Sequence, residues 1–89
     1  MLSFFKISND IENEIKTKFK QKRKSLKFSQ KELSIKSGIS LGSLKRFEQT
    51  GKISFSSLLQ LAVILGCLDD FGNICNKQDE FKSIEDVLK

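Results

Sequence analysis

Ile11, Ile15 and Phe19 recur every four residues, with Lys16, Lys18, Lys20, Lys22 and Lys24 set around them. That spacing predicts an amphipathic helix over residues 9–25, with Ser8 or Asn9 as its candidate cap. Ser29 with Glu32 three positions later is the pattern of a capping box, in which each side chain satisfies a free amide of the other. A short second helix therefore starts there, with Leu33 as its buried residue. Ser37-Gly38-Ile39 ends it, because Gly38 can take the left-handed conformation that turns the chain sharply. Ser40 caps a third helix that turns Leu44 and Phe47 inward and Lys45 and Arg46 outward, and Gly51 closes it. Ile53-Ser54-Phe55 leads into a fourth helix over 56–65, with Leu58, Leu61, Ala62 and Leu65 as its inner stripe and Gly66 as its stop. Leu68, Phe71 and Ile74 predict a fifth short helix over 68–74. Residues 76–82 read as a polar linker, and 83–89 fit one last short helix or tail. The apolar strip 1–7 fits either an arm or an edge strand, and the pattern does not choose between them. The expected fold is all-α: a five-helix domain over 1–75, followed by a tail over 76–89.

Composition narrows this picture. The chain has 89 residues, enough for one domain with a small core. At 38% hydrophobic and 30% charged residues it is globular rather than disordered. With no proline and five glycines, it favours helices joined by short turns. The eight aromatic residues are all Phe, rings without polar tips and so suited to a core. No apolar run approaches the roughly 18 residues of a membrane span. The opening strip is too short for a signal peptide, so a cytoplasmic protein is expected. Cys67 and Cys75, with no histidine, cannot supply the four ligands of a zinc site by themselves. Both are read as small buried hydrophobes. No cofactor is expected. Nor is an enzyme, since the sequence has no histidine, no phosphate-cradling glycine loop and no evident nucleophile–base pair.

Charge then changes the reading. Residues 16–52 hold twelve Lys or Arg against Glu32 and Glu48, a surplus of ten positive charges within a chain whose net charge is +5. The segments on either side are acidic or uncharged. One contiguous stretch therefore supplies all the basic character, the footprint of a polyanion site.

The same stretch holds two short helices either side of Gly38. A turn this tight sets them at a steep angle, the geometry of a helix-turn-helix. Its demands are specific, and the residues meet them. Ser34 is small, so the backbones can approach. Gly38 is permissive in the turn, Ile39 plugs the core, and Leu44 and Phe47 make the second helix apolar on its inner side. Ser40, Ser43, Lys45 and Arg46 leave its outer side polar and basic, fit for the major groove.

The run Phe28-Ser-Gln-Lys-Glu-Leu-Ser-Ile-Lys-Ser-Gly-Ile-Ser-Leu-Gly-Ser-Leu-Lys-Arg-Phe-Glu48, followed by Gly51 and by Leu58-Leu-Gln-Leu-Ala-Val-Ile-Leu-Gly66, resembles the lambda-repressor-like (Cro/XRE) helix-turn-helix family. The resemblance implies a DNA-binding transcription regulator. It implies that Gln30 contacts the DNA backbone and braces the recognition helix. Ser40 opens that helix, and Leu41, Gly42, Lys45 and Arg46 would face base edges, with Ser43 at a phosphate. Gln49, Thr50 and Lys52, in the turn after the helix, would lie along the backbone. It also implies a partly buried pair between Arg23 and Glu48. Leu41 and Gly42 depart from the family, which often has hydrogen-bonding side chains there; Leu can touch a thymine methyl, but Gly reads nothing directly. The turn at Gln49-Thr50-Gly51 is one residue longer than the commonest family loop.

A single module has too small a reading surface for specific binding, so a homodimer on a double-stranded operator is expected, with the fifth helix and C-terminal segment as dimer surfaces. Leu65-Gly-Cys-Leu-Asp-Asp-Phe71 and Ser83-Ile-Glu-Asp-Val-Leu-Lys89 are similar to HipB-like antitoxins. That branch implies a HipA-like kinase toxin as partner and repression of its own toxin-antitoxin operon. The alternatives are a phage or restriction-system repressor, and an interaction module that has lost DNA binding. A membrane-surface role for the basic first helix is disfavoured by the complete core pattern downstream.

Overall fold

The computed structural model describes residues 4–76. The expected linker and last helix over 77–89 lie outside the described residues. Among the described residues five helices follow one another: α1 Phe4–Ser25, α2 Gln30–Ser37, α3 Leu41–Thr50, α4 Phe55–Leu65 and α5 Leu68–Gly72. Among the described residues no helix is long and apolar enough to cross a membrane.

Local chemistry sets the boundaries. Ser29 and Glu32 form the capping box at the start of α2, at 3.0 and 2.9 Å. Ser40 caps α3 by accepting from the Ser43 amide, and Ser54 caps α4 by accepting from the Ser57 amide. The cap at Ser54 starts α4 one residue before the expected position, so Phe55 opens the helix and stands 61% exposed. Gly38, Gly51 and Gly66 each end a helix in the left-handed conformation.

Two expectations about the ends need correction. Residues 4–7 are neither arm nor strand but the first turns of α1, and Ser8 and Asn9 lie inside that helix rather than capping it. The four-residue apolar spacing extends back through Ile7, and nothing in that stretch breaks a helix. At the other end α5 stops at Gly72, two residues short of the expected limit, with Asn73 as its cap. Ile74 and Cys75 are consequently exposed, so Cys75 is not the buried hydrophobe expected. Cys67 is partly buried against the core, and both thiols are free.

The core joins Phe19 of α1, Leu33 of α2, Ile39 of the turn, Leu44 and Phe47 of α3, and Leu58, Leu61, Ala62 and Leu65 of α4. All nine were legible as inward positions, and all are buried. Phe19 meets Phe47 edge to face, with centroids 5.7 Å apart. That contact sets α1 against the inner side of α3 and leaves the outer side of α3 free.

Two glycines carry different constraints. Gly38 has φ +78°, yet a Cβ there would meet nothing within 4 Å, so only the backbone conformation requires glycine. Gly51 has φ +81°, and a Cβ would also lie 3.1 Å from the backbone oxygen of Glu12. Gly38→Ala should cost about 1–2 kcal/mol for the left-handed backbone alone. Gly51→Ala should cost clearly more, because α1 must also move away. Urea unfolding of the two variants checks the order; equal losses would show that the approach of α1 imposes no constraint.

Candidate nucleic-acid interface

Arg23, Glu48 and Gln30 fasten α3 to the two helices before it. Arg23 Nε donates to Glu48 Oε2 at 2.8 Å, and Nη2 donates to Glu48 Oε1 at 3.0 Å. Its Nη1 donates to the Phe28 carbonyl at 2.8 Å, which ties in the α1–α2 turn. Gln30 Nε2 donates to Glu48 Oε1 at 2.8 Å. The side chains of Arg23 and Glu48 are 8% and 3% exposed, so the pair is buried, not partly buried as the resemblance implied. Burial pushes the Glu48 carboxyl up, but the hydrogen bonds from Arg23 and Gln30, with the charges of Arg23 and Lys20, outweigh it and hold the group below its ordinary value.

The turn between α2 and α3 is tied by its serines. Ser34 Oγ donates to the Ile39 carbonyl, and the Ile39 amide donates to Ser37 Oγ at 3.2 Å. Ser34 is therefore more than a small residue: its hydroxyl holds the turn closed. The sequence pattern required smallness there and could not show the bond.

With its inner side locked, α3 presents Gly42, Ser43, Lys45 and Arg46 to solvent, and half-buried Leu41 beside them. Among the described residues, the side chains of Lys45 and Arg46 have no hydrogen-bond or ion-pair partner. Ser40 Oγ donates to Ser43 Oγ at 2.8 Å, which leaves the Ser43 hydroxyl proton available to an outside acceptor. Gly42 has an ordinary helical backbone, and a Cβ there would meet nothing within 4 Å. The fold itself thus does not require glycine at that position.

The end of α3 differs from expectation. Gln49 and Thr50 belong to its last turn, not to the following loop. Thr50 Oγ1 donates to the Arg46 carbonyl at 2.7 Å, and the extra residue is absorbed as helix before Gly51 turns the chain. The Gln49 carbonyl accepts from Lys16 Nζ at 2.8 Å, while the Gln49 side chain is exposed. Lys52 Nζ is paired with Glu12 at 3.0 Å. Ser43, Arg46 and Lys52 nonetheless line one concavity with Ile53, Ser54 and Ser57. Lys45 and Gly42 do not line it, and neither does Gln30, which bonds to the buried Glu48 instead. The links from Glu12 and Lys16 were missed in the sequence, since neither residue stands in the motif and both bonds span more than 30 positions.

A helix-turn-helix family model matches residues 19–70, more than half of the chain. The chain belongs to the lambda-repressor-like (Cro/XRE) helix-turn-helix family. No curated protein and no solved structure matches it. As a member of this family it is a DNA-binding transcription regulator. The matched segment contains the whole helix-turn-helix, from the buried Phe19 to the first turn of α5.

Removing one member of the buried pair leaves an uncompensated charge inside a small helix-turn-helix domain. Arg23→Ala or Glu48→Ala should each cost about 3–5 kcal/mol, whereas the paired change Arg23→Met with Glu48→Leu should cost far less than their sum. The pH dependence follows from the lowered Glu48 group. Its folded form binds fewer protons than the unfolded chain, so its contribution is present above the ordinary value of 4.5 and lost as pH falls through the folded value. Urea midpoints between neutral pH and about pH 3 should therefore fall below pH 5 in the wild type. The fall should be shallower in the Arg23→Met/Glu48→Leu protein; identical profiles would remove Glu48 from the account.

Proposed function

We infer that this protein is a transcription repressor that binds a specific double-stranded operator as a homodimer. The observation that carries this reading is the outer side of α3. Two cations, Lys45 and Arg46, stand exposed there without partners among the described residues, on a helix whose inner side is fixed in the core. Lys45 and Arg46 read base edges, Leu41 contacts a thymine methyl, and Gly42 lets the helix backbone approach the groove. Ser43, Ser40 and the first turn of α2 at Gln30 meet phosphates, because helix N-termini offer free amides and positive potential. Gln49 and Lys52 lie along the backbone beyond α3. Sequence-dependent DNA shape supplies the specificity that Leu41 and Gly42 cannot.

The dimer reading is supported by apolar surface around α5. Leu68 and Ile74 are 41% and 55% exposed, and Phe55, Leu59, Leu68 and Phe71 border an open depression beside them. Two copies joined there would present two α3 helices, and two-fold dimers of this motif read half-sites about 34 Å apart. The similarity of 65–71 and 83–89 to HipB-like antitoxins supports a finer reading: an autoregulating antitoxin whose partner is a HipA-like kinase toxin. A kinase-like reading frame beside the gene, and co-purification of its product, would support that branch; a solitary gene points to a phage or restriction-system repressor.

Selection from random duplexes identifies the operator, and titration then compares variants on operator and random DNA. Arg46→Ala and Lys45→Ala should weaken operator binding by about 1–3 kcal/mol while changing random-DNA binding less. Equal losses on both would restrict these residues to phosphate contact. Sedimentation should show a dimer that Leu68→Ser/Ile74→Ser converts to monomer. A monomer at every concentration would contradict the dimer.

A further inference from the structure

Lys52 is the cation at the end of the recognition helix, and its charge is already engaged. Its Nζ donates to both carboxylate oxygens of Glu12, each at 3.0 Å, across 40 positions of sequence. The Lys52 and Glu12 side chains are 53% and 34% exposed. One turn along α1, Lys16 Nζ donates to the Gln49 carbonyl at 2.8 Å. The two links differ in kind. Lys16 satisfies a carbonyl that the end of α3 leaves unbonded and puts a cation at the negative end of the helix. Glu12 instead holds a cation that borders the same concavity as Ser43 and Arg46.

A solvent-exposed pair of this kind is weak and exchanges readily. A DNA phosphate arriving beside Ser43 and Arg46 is an anion of the same bidentate character as the carboxylate, and it competes for the same Nζ. We propose that Glu12 is a built-in competitor for DNA phosphate at Lys52, which sets how much this lysine contributes to binding. This rests on the DNA-facing surface proposed above. Glu12 offsets part of the Lys52 charge in the free protein, so this lysine adds less to binding on random sequence than an unpaired one would. It is released most fully where a complex holds a phosphate firmly enough to displace Glu12. Glu12 is in this sense a specificity determinant on α1, outside the helix-turn-helix.

The full chain is titrated into a labelled random-sequence duplex at several salt concentrations, with fluorescence anisotropy as readout. Glu12→Gln should bind about three- to tenfold tighter at low salt, with a salt slope steeper by about 0.9, the value of one additional phosphate contact. Asp10→Asn removes the same charge from the same helix, and Asp10 has no ion pair among the described residues. It should leave the slope unchanged, which separates release of Lys52 from a general change in net charge. Lys52→Met alone should lower the slope on random DNA by much less than about 0.9, and added to Glu12→Gln it should return the slope close to that of the wild type. An unchanged slope in Glu12→Gln, or a loss of about 0.9 in Lys52→Met alone, overturns the proposal while wild-type binding stands. Should Glu12→Gln not fold, as judged by circular dichroism, Glu12→Ala takes its place with the same expected steepening of the slope. Absence of salt-dependent binding by the wild type would overturn the DNA-facing surface together with this proposal.

Discussion

The buried bond between Arg23 and Glu48 is the constraint on which the rest of the domain depends. An ion pair so far from water is costly to bury and has value only when each of its nitrogens and oxygens has a partner. Here the guanidinium fork spends two donors on the carboxylate and one on the Phe28 carbonyl, and Gln30 adds another bond to the same carboxylate. One charged group thereby fixes α1, the α1–α2 turn, the start of α2 and the end of α3. A small apolar core packs well in several ways; a buried pair that must be fully bonded allows fewer. The orientation of α3 is set by that requirement as much as by Phe47 and Leu44.

The two ends of α3 are held differently. At its start, serines do the work: Ser34 and Ser37 close the turn, and Ser40 caps the helix and donates to Ser43. At its end, α1 supplies the restraint through Lys16, Glu12 and the close approach of Glu12 to Gly51. The helix is anchored at both ends and along its inner side, while its outer side carries Lys45 and Arg46, which have no partner among the described residues. The DNA-reading role proposed for this surface needs that division, since side chains that meet bases should not also be needed to hold the fold.

How far this was legible in the sequence depends on the range of the interaction. The capping box at Ser29 and Glu32, the glycine stops and the inward stripe of α4 are local patterns, and each appears in the structure where the pattern put it. Eight of the core positions lie on helices and followed from their apolar positions, and Ile39 followed from its place in the turn after Gly38. The start of α1 was missed because an apolar strip of seven residues has the same look in a helix, an arm or an edge strand. The early stop of α5 was missed because Ile74 continues a helical spacing that Gly72 and Asn73 interrupt. Within the site, Arg23 and Glu48 were legible only through family resemblance. The links from Glu12 to Lys52 and from Lys16 to Gln49 leave no local trace at all, because they join residues that come together only once the domain has folded.

The central claim is that the outer side of α3, held rigid from within, is the surface that meets DNA. Titrating the isotope-labelled protein with duplex DNA and following backbone amide shifts tests it most directly. The account predicts that the largest changes fall on Gln30, on residues 40–46 and around Lys52, and that the amides of Arg23 and Glu48 move little. Changes concentrated on α4 and α5, with residues 40–46 unmoved, would contradict it.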